Sequence, residues 1–268
     1  MANGGGKLKA DLGEVDHEPI GVGERKNDRL HIAGEVENEA GAVLVAKDAG
    51  IDHRGNGGTG RRAGDRHGKN WSAQGNILAG PQVPEAIGKA FEATPGELAE
   101  KLFAALKAGD DAGGDTRGKQ SASILVVRKH GGRNLNNDRY VDIHVDDNPE
   151  PIRELRRLLD INLGLLYSEK VGPLLIASKT VEARDAAAKG AHYMPSGNSF
   201  FTVGVMDYSI DDRSAALADL RRAIKLDSAI RKQFESSADA ILPGFGPIGR
   251  ALRGILEDKE FLKQVLAQ

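Results

Sequence analysis

Two stretches of the chain collect polar side chains and glycines in the pattern of a functional site. Residues 70–80 read Asn-Trp-Ser-Ala-Gln-Gly-Asn-Ile-Leu-Ala-Gly, and residues 113–122 read Gly-Gly-Asp-Thr-Arg-Gly-Lys-Gln-Ser-Ala. Each sets polar and glycine residues against an apolar run, the composition expected where tight backbone presents side chains to a site. In the first, Gln74 and Asn76 flank a glycine. An amide side chain after a glycine turn can donate hydrogen bonds to the oxyanion that develops at a reacting carbonyl; the alternative is that both cap a turn or pair with backbone. In the second, Arg117 and Lys119, with Gln120 beside them, are suited to hold a substrate carboxylate or to tune a nearby amine. The alternative there is a salt-bridge cluster that introduces a strand.

Other constellations point less firmly to chemistry. Asp138, Arg139, Asp142, Asp146 and Asp147 could offer carboxylate oxygens to a hard cation, but they lack the fixed spacing of a calcium loop and read better as a solvated strand edge. His17, His31, His53 and His67 are scattered rather than set at metal-ligand intervals, so solvated loop histidines are expected. Residues 55–60, Gly-Asn-Gly-Gly-Thr-Gly, lack the Gly-Lys-Ser/Thr ending of a phosphate loop. The chain has no cysteine, which excludes disulfides, thiolate metal sites and a cysteine nucleophile. Trp71, the only tryptophan, is expected in a core.

The elements that must position these residues follow from periodicity. Residues 83–91 read as a short helix. Thr94-Pro95-Gly96-Glu97 then predicts a capping box opening a second one, with Leu98, Leu102, Phe103 and Leu106 on its apolar face. Residues 121–127 read as a strand buried on both sides, and residues 139–145 alternate Val141, Ile143 and Val145 against Tyr140, Asp142 and His144. A hairpin loop containing Gly131-Gly132 joins them. Ile152, Leu155, Leu158 and Leu159 predict a helix facing these strands. Before residue 70 there is no Phe, Tyr or Trp; residues 42–46 are the best strand candidate there, and residues 1–66 are expected to be irregular and poorly packed. Beyond Asp160 the pattern is helical. Phe200, Val203, Gly204, Ala216, Leu220, Ala223 and a Lys225-Leu226-Asp227-Ser228 ending fall where a tetratricopeptide repeat places its large, small and helix-ending residues, although Asp207 stands where an aromatic is usual. A fainter unit runs from Leu163 to Pro195, and residues 251–266 predict one amphipathic capping helix.

The paired stretches resemble the bacterial family known as domain of unknown function one-thousand-and-twenty-eight, whose fold is similar to the N-terminal-nucleophile hydrolases. The resemblance runs from about Asp65 to Leu159 and continues into the helical tail. It implies an α+β chain: an incomplete αββα layered domain over residues 67–159, followed by a tetratricopeptide-like tail over residues 160–268. It also implies that Asp115 and Ser121 correspond to the aspartate and serine set near the free amine, so that Asp115, Ser121, Asn76 and Gln74 form the catalytic group. Such enzymes use a Thr, Ser or Cys at residue one, whose amine is the base for its own side chain. This chain reads Met1-Ala2-Asn3. An altered reading frame or start, loss of the segment and divergence are three explanations, and the chain as written is expected to be an inactive small-amide hydrolase. The alternative is a protein- or ligand-binding module using the helical tail.

A formal net charge of −2 over 268 residues gives no electrostatic footprint for nucleic acid or an anionic membrane. No run reaches the length of a membrane span, and residues 1–9 lack a secretory core. A cytoplasmic protein without cofactor is expected, its partners a small amide substrate or ligand and a protein or second copy bound through the tail.

Overall fold

The computed structural model describes residues 30–36, 42–48, 64–68, 71–75, 77–133, 137–236 and 247–267. Its sheet has six strands in the order β3-β4-β2-β1-β5-β6. These are β1 (Leu30–Val36), β2 (Ala42–Asp48), β3 (Gly64–Gly68), β4 (Trp71–Gly75), β5 (Ala122–Arg128) and β6 (Arg139–Val145). Antiparallel pairs β3–β4, β2–β1 and β5–β6 are joined by parallel pairings of β4 with β2 and of β1 with β5.

Helices α1 (Gln82–Ala93) and α2 (Leu98–Asp111) form the crossover between the two halves of the sheet and lie against it, α1 over β3 and β4, α2 over β1 and β5. The register explains which residues they cover. Ala122, Ile124 and Val126 pair with Val145, Ile143 and Val141, all buried, so period-two alternation puts one apolar face under the helices. The opposite face carries Ser123 against His144 and Leu125 against Asp142.

Helix α3 (Pro151–Ile176) begins on this layered core and ends on another. Leu155, Leu159, Leu163 and Leu166 are buried in the first core, whereas Val171, Leu174 and Leu175 pack on the second. The change of core falls within one continuous helix of about 39 Å, between Leu166 and Val171. The remainder is helical: α4 (Thr180–Tyr193), α5 (Gly197–Ser209), α6 (Arg213–Leu226), α7 (Ser228–Ser236), α8 (Pro247–Glu257) and α9 (Lys259–Leu266). The chain is therefore mixed α+β, a sheet with helices on one face followed by a helical array.

Several expectations change. The strand candidate at residues 42–46 is β2, Ala42–Asp48, but Leu30–Val36 is also a strand of the central sheet where irregular backbone is expected; β1 owes its place to neighbours on both sides, β2 and the distant β5. Thr94 does not open α2. Its hydroxyl donates to the Ala90 carbonyl at 2.7 Å and closes α1, and Gly96, at φ +91°, turns the chain so that Glu97 precedes α2 without a side-chain cap. The single helix expected over residues 251–266 is broken at Asp258, whose carboxylate accepts from the Phe261 amide at 3.0 Å and caps α9. The histidines at 17 and 53 and the glycine run at 55–60 lie outside the described residues.

Candidate functional site

The two stretches singled out by composition meet. After β4 the chain turns through Ile77 at φ +57°, a conformation a β-branched residue rarely adopts. Thr116 clamps that turn: its amide and its hydroxyl both donate to the Ile77 carbonyl, each at 3.0 Å. Leu78 then forms an antiparallel bridge with Asp115, and the Ala79 amide donates to the Gly114 carbonyl at 2.9 Å. Residues 77–79 and 114–116 are thus a two-stranded clip between the entry to α1 and the exit of α2.

Glycine is required at the contact. Gly113 has φ +113°, and a Cβ there would stand 2.7 Å from the Ala79 Cβ. The approach of the two loops depends on the missing side chain.

Asp115 is occupied by Arg117. Its Oδ1 accepts from the Arg117 amide at 2.8 Å and from Nε at 3.0 Å, while Oδ2 accepts from Nη2 at 2.5 Å. Burial pushes the Asp115 carboxyl up, but Arg117's guanidinium and amide outweigh it and hold the group below the ordinary aspartate value. An ionised carboxylate gripped in this way organises its loop. Lys119 Nζ lies 2.7 Å from Asp110 Oδ2, and that bond raises the lysine's affinity for its proton. The Gln120 carbonyl accepts from the Asn148 amide at 2.9 Å, tying this segment to the end of β6. Ser121 is half-buried just ahead of β5.

Of the residues expected to act together, the structure brings Asp115, Arg117 and Lys119 into one loop beside the 77–79 segment. Gln74 sits on β4 as register partner of Asp65, its side chain outside the description, and Asn76 lies outside the described residues. Trp71 packs as a core residue: tilted against Phe91 at 6.4 Å, it donates from Nε1 to Glu92 at 3.0 Å. Asp142 is paired with Arg139 and His144, and Asp138 accepts from the His130 amide, so that acidic stretch is used within its own hairpin. Among the described residues no cluster of three or more His, Cys, Asp or Glu suits a metal ion.

Beside the clip, Lys119 lines a cleft of about 510 Å³ between α2 and the start of α3. Phe103 and Ile152 supply apolar surface, and Lys107, Asp110 and Arg153 the charged rim. Arg156 closes one wall, bidentate to Glu100 at 2.7 and 3.0 Å and stacked over Phe103. Sequence reasoning missed this wall because Glu100 and Arg156 are joined only by the packing of α2 on α3.

Residues 35–155 match the model of a Family of unknown function (DUF1028). The match starts at Glu35, well before the resemblance near Asp65, and spans β2, the clip and the start of α3, so the β2 strand and the Gly113–Lys119 loop both fall within the matched segment. No curated protein and no solved structure matches the chain. No described helix is long and apolar enough to cross a membrane.

Proposed function

We propose that the clip and its neighbouring cleft bind a small amide that carries a carboxylate, on a layered domain of N-terminal-nucleophile-hydrolase type. The observation that carries this reading is the clip itself: it sets the turn after β4 against the Arg117-Gly118-Lys119 segment. Lys119 is half-exposed, and its partner Asp110 can be exchanged for a ligand carboxylate at little cost, since exposed ion pairs contribute about 0–1 kcal/mol. Asp115 positions the loop through Arg117. Phe103 and Ile152 receive the ligand's apolar part, and the cleft has a volume usual for small-molecule sites.

The test is saturation-transfer NMR with N-acetylglycine, with acetate release followed in the same samples. Saturable binding lost in Lys119→Ala supports the reading, and acetate release lost in Asp115→Ala extends it to hydrolysis. Absence of binding, or binding unchanged in Lys119→Ala, refutes it.

A second reading rests on the tail. Ile176 is 88% and Val181 56% exposed at the corner between α3 and α4, an apolar pair that a second copy or a protein partner would cover. The close α5–α6 pair, where Gly204 receives Leu220, fits a tetratricopeptide-like hairpin. Sedimentation velocity of the chain and of Ile176→Lys tests it: a dimer dissociated by the substitution supports this reading, and a monomer in both cases removes the dimer.

A further inference from the structure

A second cleft, of about 740 Å³, lies at the opposite end of β5 from Lys119, between the β5–β6 turn and the middle of α3. β5 has seven residues, which separates the two places by about 20 Å. The floor is apolar and aromatic, with Tyr140, Leu166 and Leu174. The wall is cationic. Arg128, Lys129, Arg133 and Lys170 line it, against one carboxylate, Glu169, which Arg133 already holds.

The other cations have no such partner in the cleft. Arg128 lies over the Tyr140 ring at 5.7 Å, and Lys170 stands 5.5 Å from the same ring and 4.6 Å from that of Tyr167. Among the described residues neither makes a hydrogen bond or ion pair with a carboxylate. Lys189 approaches the other tyrosine ring, at 5.1 Å from Tyr167. Glu97, outside the cleft lining, accepts from the Tyr140 hydroxyl at 3.1 Å and is the acid that acts on Lys170. Burial, with Arg128 and Lys189 nearby, lowers the Lys170 amine's affinity for its proton, and Glu97 offsets this only in part.

Exposed Arg128 and Lys129 beside half-buried Lys170 form a group of like charges over an aromatic floor, which is stabilised by an anion that reaches it with an apolar body attached. We propose that this cleft binds an organic phosphate, its phosphoryl group between Arg128, Lys129 and Lys170 and its apolar part on Tyr140 and Leu166. The surplus of cations exceeds what one carboxylate would neutralise, which favours a dianion over a carboxylate. The site is independent of the amide site beside the clip.

The test is calorimetric titration of the full chain with phenyl phosphate, inorganic phosphate, benzoate and benzyl alcohol. Phenyl phosphate should bind saturably and at least about tenfold more tightly than the other three. Arg128→Gln, an exposed position whose variant should melt like the parent, should weaken it by about tenfold or more, while Lys119→Gln in the other cleft leaves it unchanged. A second readout is the pH profile of Lys170 amine labelling, which should move to higher pH when phenyl phosphate is bound. Equal binding of phenyl phosphate and inorganic phosphate, equal binding of benzoate, or an Arg128→Gln variant that binds like the parent overturns the proposal.

Discussion

Replacing Gly113 with Ala tests whether the clip is as tight as its geometry requires. Two separate costs arise. At φ +113° an L side chain is strained, at about 1–3 kcal/mol. The new methyl carbon would also stand 2.7 Å from the Ala79 Cβ, and relieving such overlap in packed structure costs about another 1–3 kcal/mol. A loss of about 2–6 kcal/mol is therefore expected for Gly113→Ala. Removing the opposing methyl separates the two terms: with Ala79→Gly in the background, only the backbone term remains, so the double variant should recover about 1–3 kcal/mol. The assay is urea unfolding followed by Trp71 emission. Trp71 is the only tryptophan and packs on Phe91 of α1, so it reports the layered domain that the clip closes. A change below about 0.5 kcal/mol for Gly113→Ala, or equal losses with and without Ala79→Gly, would refute the reasoning.

Three further outcomes are expected. Arg117 holds the folded Asp115 carboxyl below its ordinary value of 3.8, so its contribution is present above that value and lost as pH falls through the depressed one; Asp115→Asn should destabilise at pH 7, with the gap to the parent closing in acid, as read from melting temperatures across pH. Asp219 behaves oppositely: burial and the neighbouring Asp207, itself fully buried on Arg184, raise its folded value, so protonated Asp219 favours the fold and the advantage is lost as pH rises; Asp219→Asn should melt higher than the parent at pH 7 and converge with it below 3.8. Gly204→Ala would put a Cβ 2.7 Å from Leu220 Cγ and should separate α5 from α6 at a cost of about 1–3 kcal/mol in chemical unfolding, measured by helical circular dichroism.

The legible parts of this chain are those whose signal is local. Val141, Ile143 and Val145 alternate, and β6 has the bounds that alternation gives; Ile87 and Phe91 recur at helical spacing and are buried in α1. β1 was not legible because its strand character comes from lying between β2 and β5, the latter about ninety residues away along the chain. The Thr94–Glu97 pattern failed for a local reason. Gly96 admits a left-handed turn, and Thr94 satisfies the end of α1 before it can start α2. The break at Asp258 was available in the sequence, since an aspartate three residues before Phe261 can cap, but the apolar periodicity around it masks the cap.

The same distinction holds at the sites. That residues 70–80 and 113–122 belong together was implied by the family resemblance of the pair; a salt-bridge cluster ahead of β5 was one of two readings the sequence allowed for the second stretch, and Arg117 does hold Asp115 there. The cationic cleft had no motif. Arg128 and Lys170 lie on different elements, and only the docking of α3 against the β5–β6 turn brings both to Tyr140.

The most direct test of the clip as a binding site is a backbone amide NMR titration of the full chain with N-acetylglycine. Shifts concentrated at Ala79 and at residues 116–120, and absent from the same titration of Lys119→Ala, are the expected result. Shifts spread over the helical tail, or none at the clip at saturating ligand, would contradict the account.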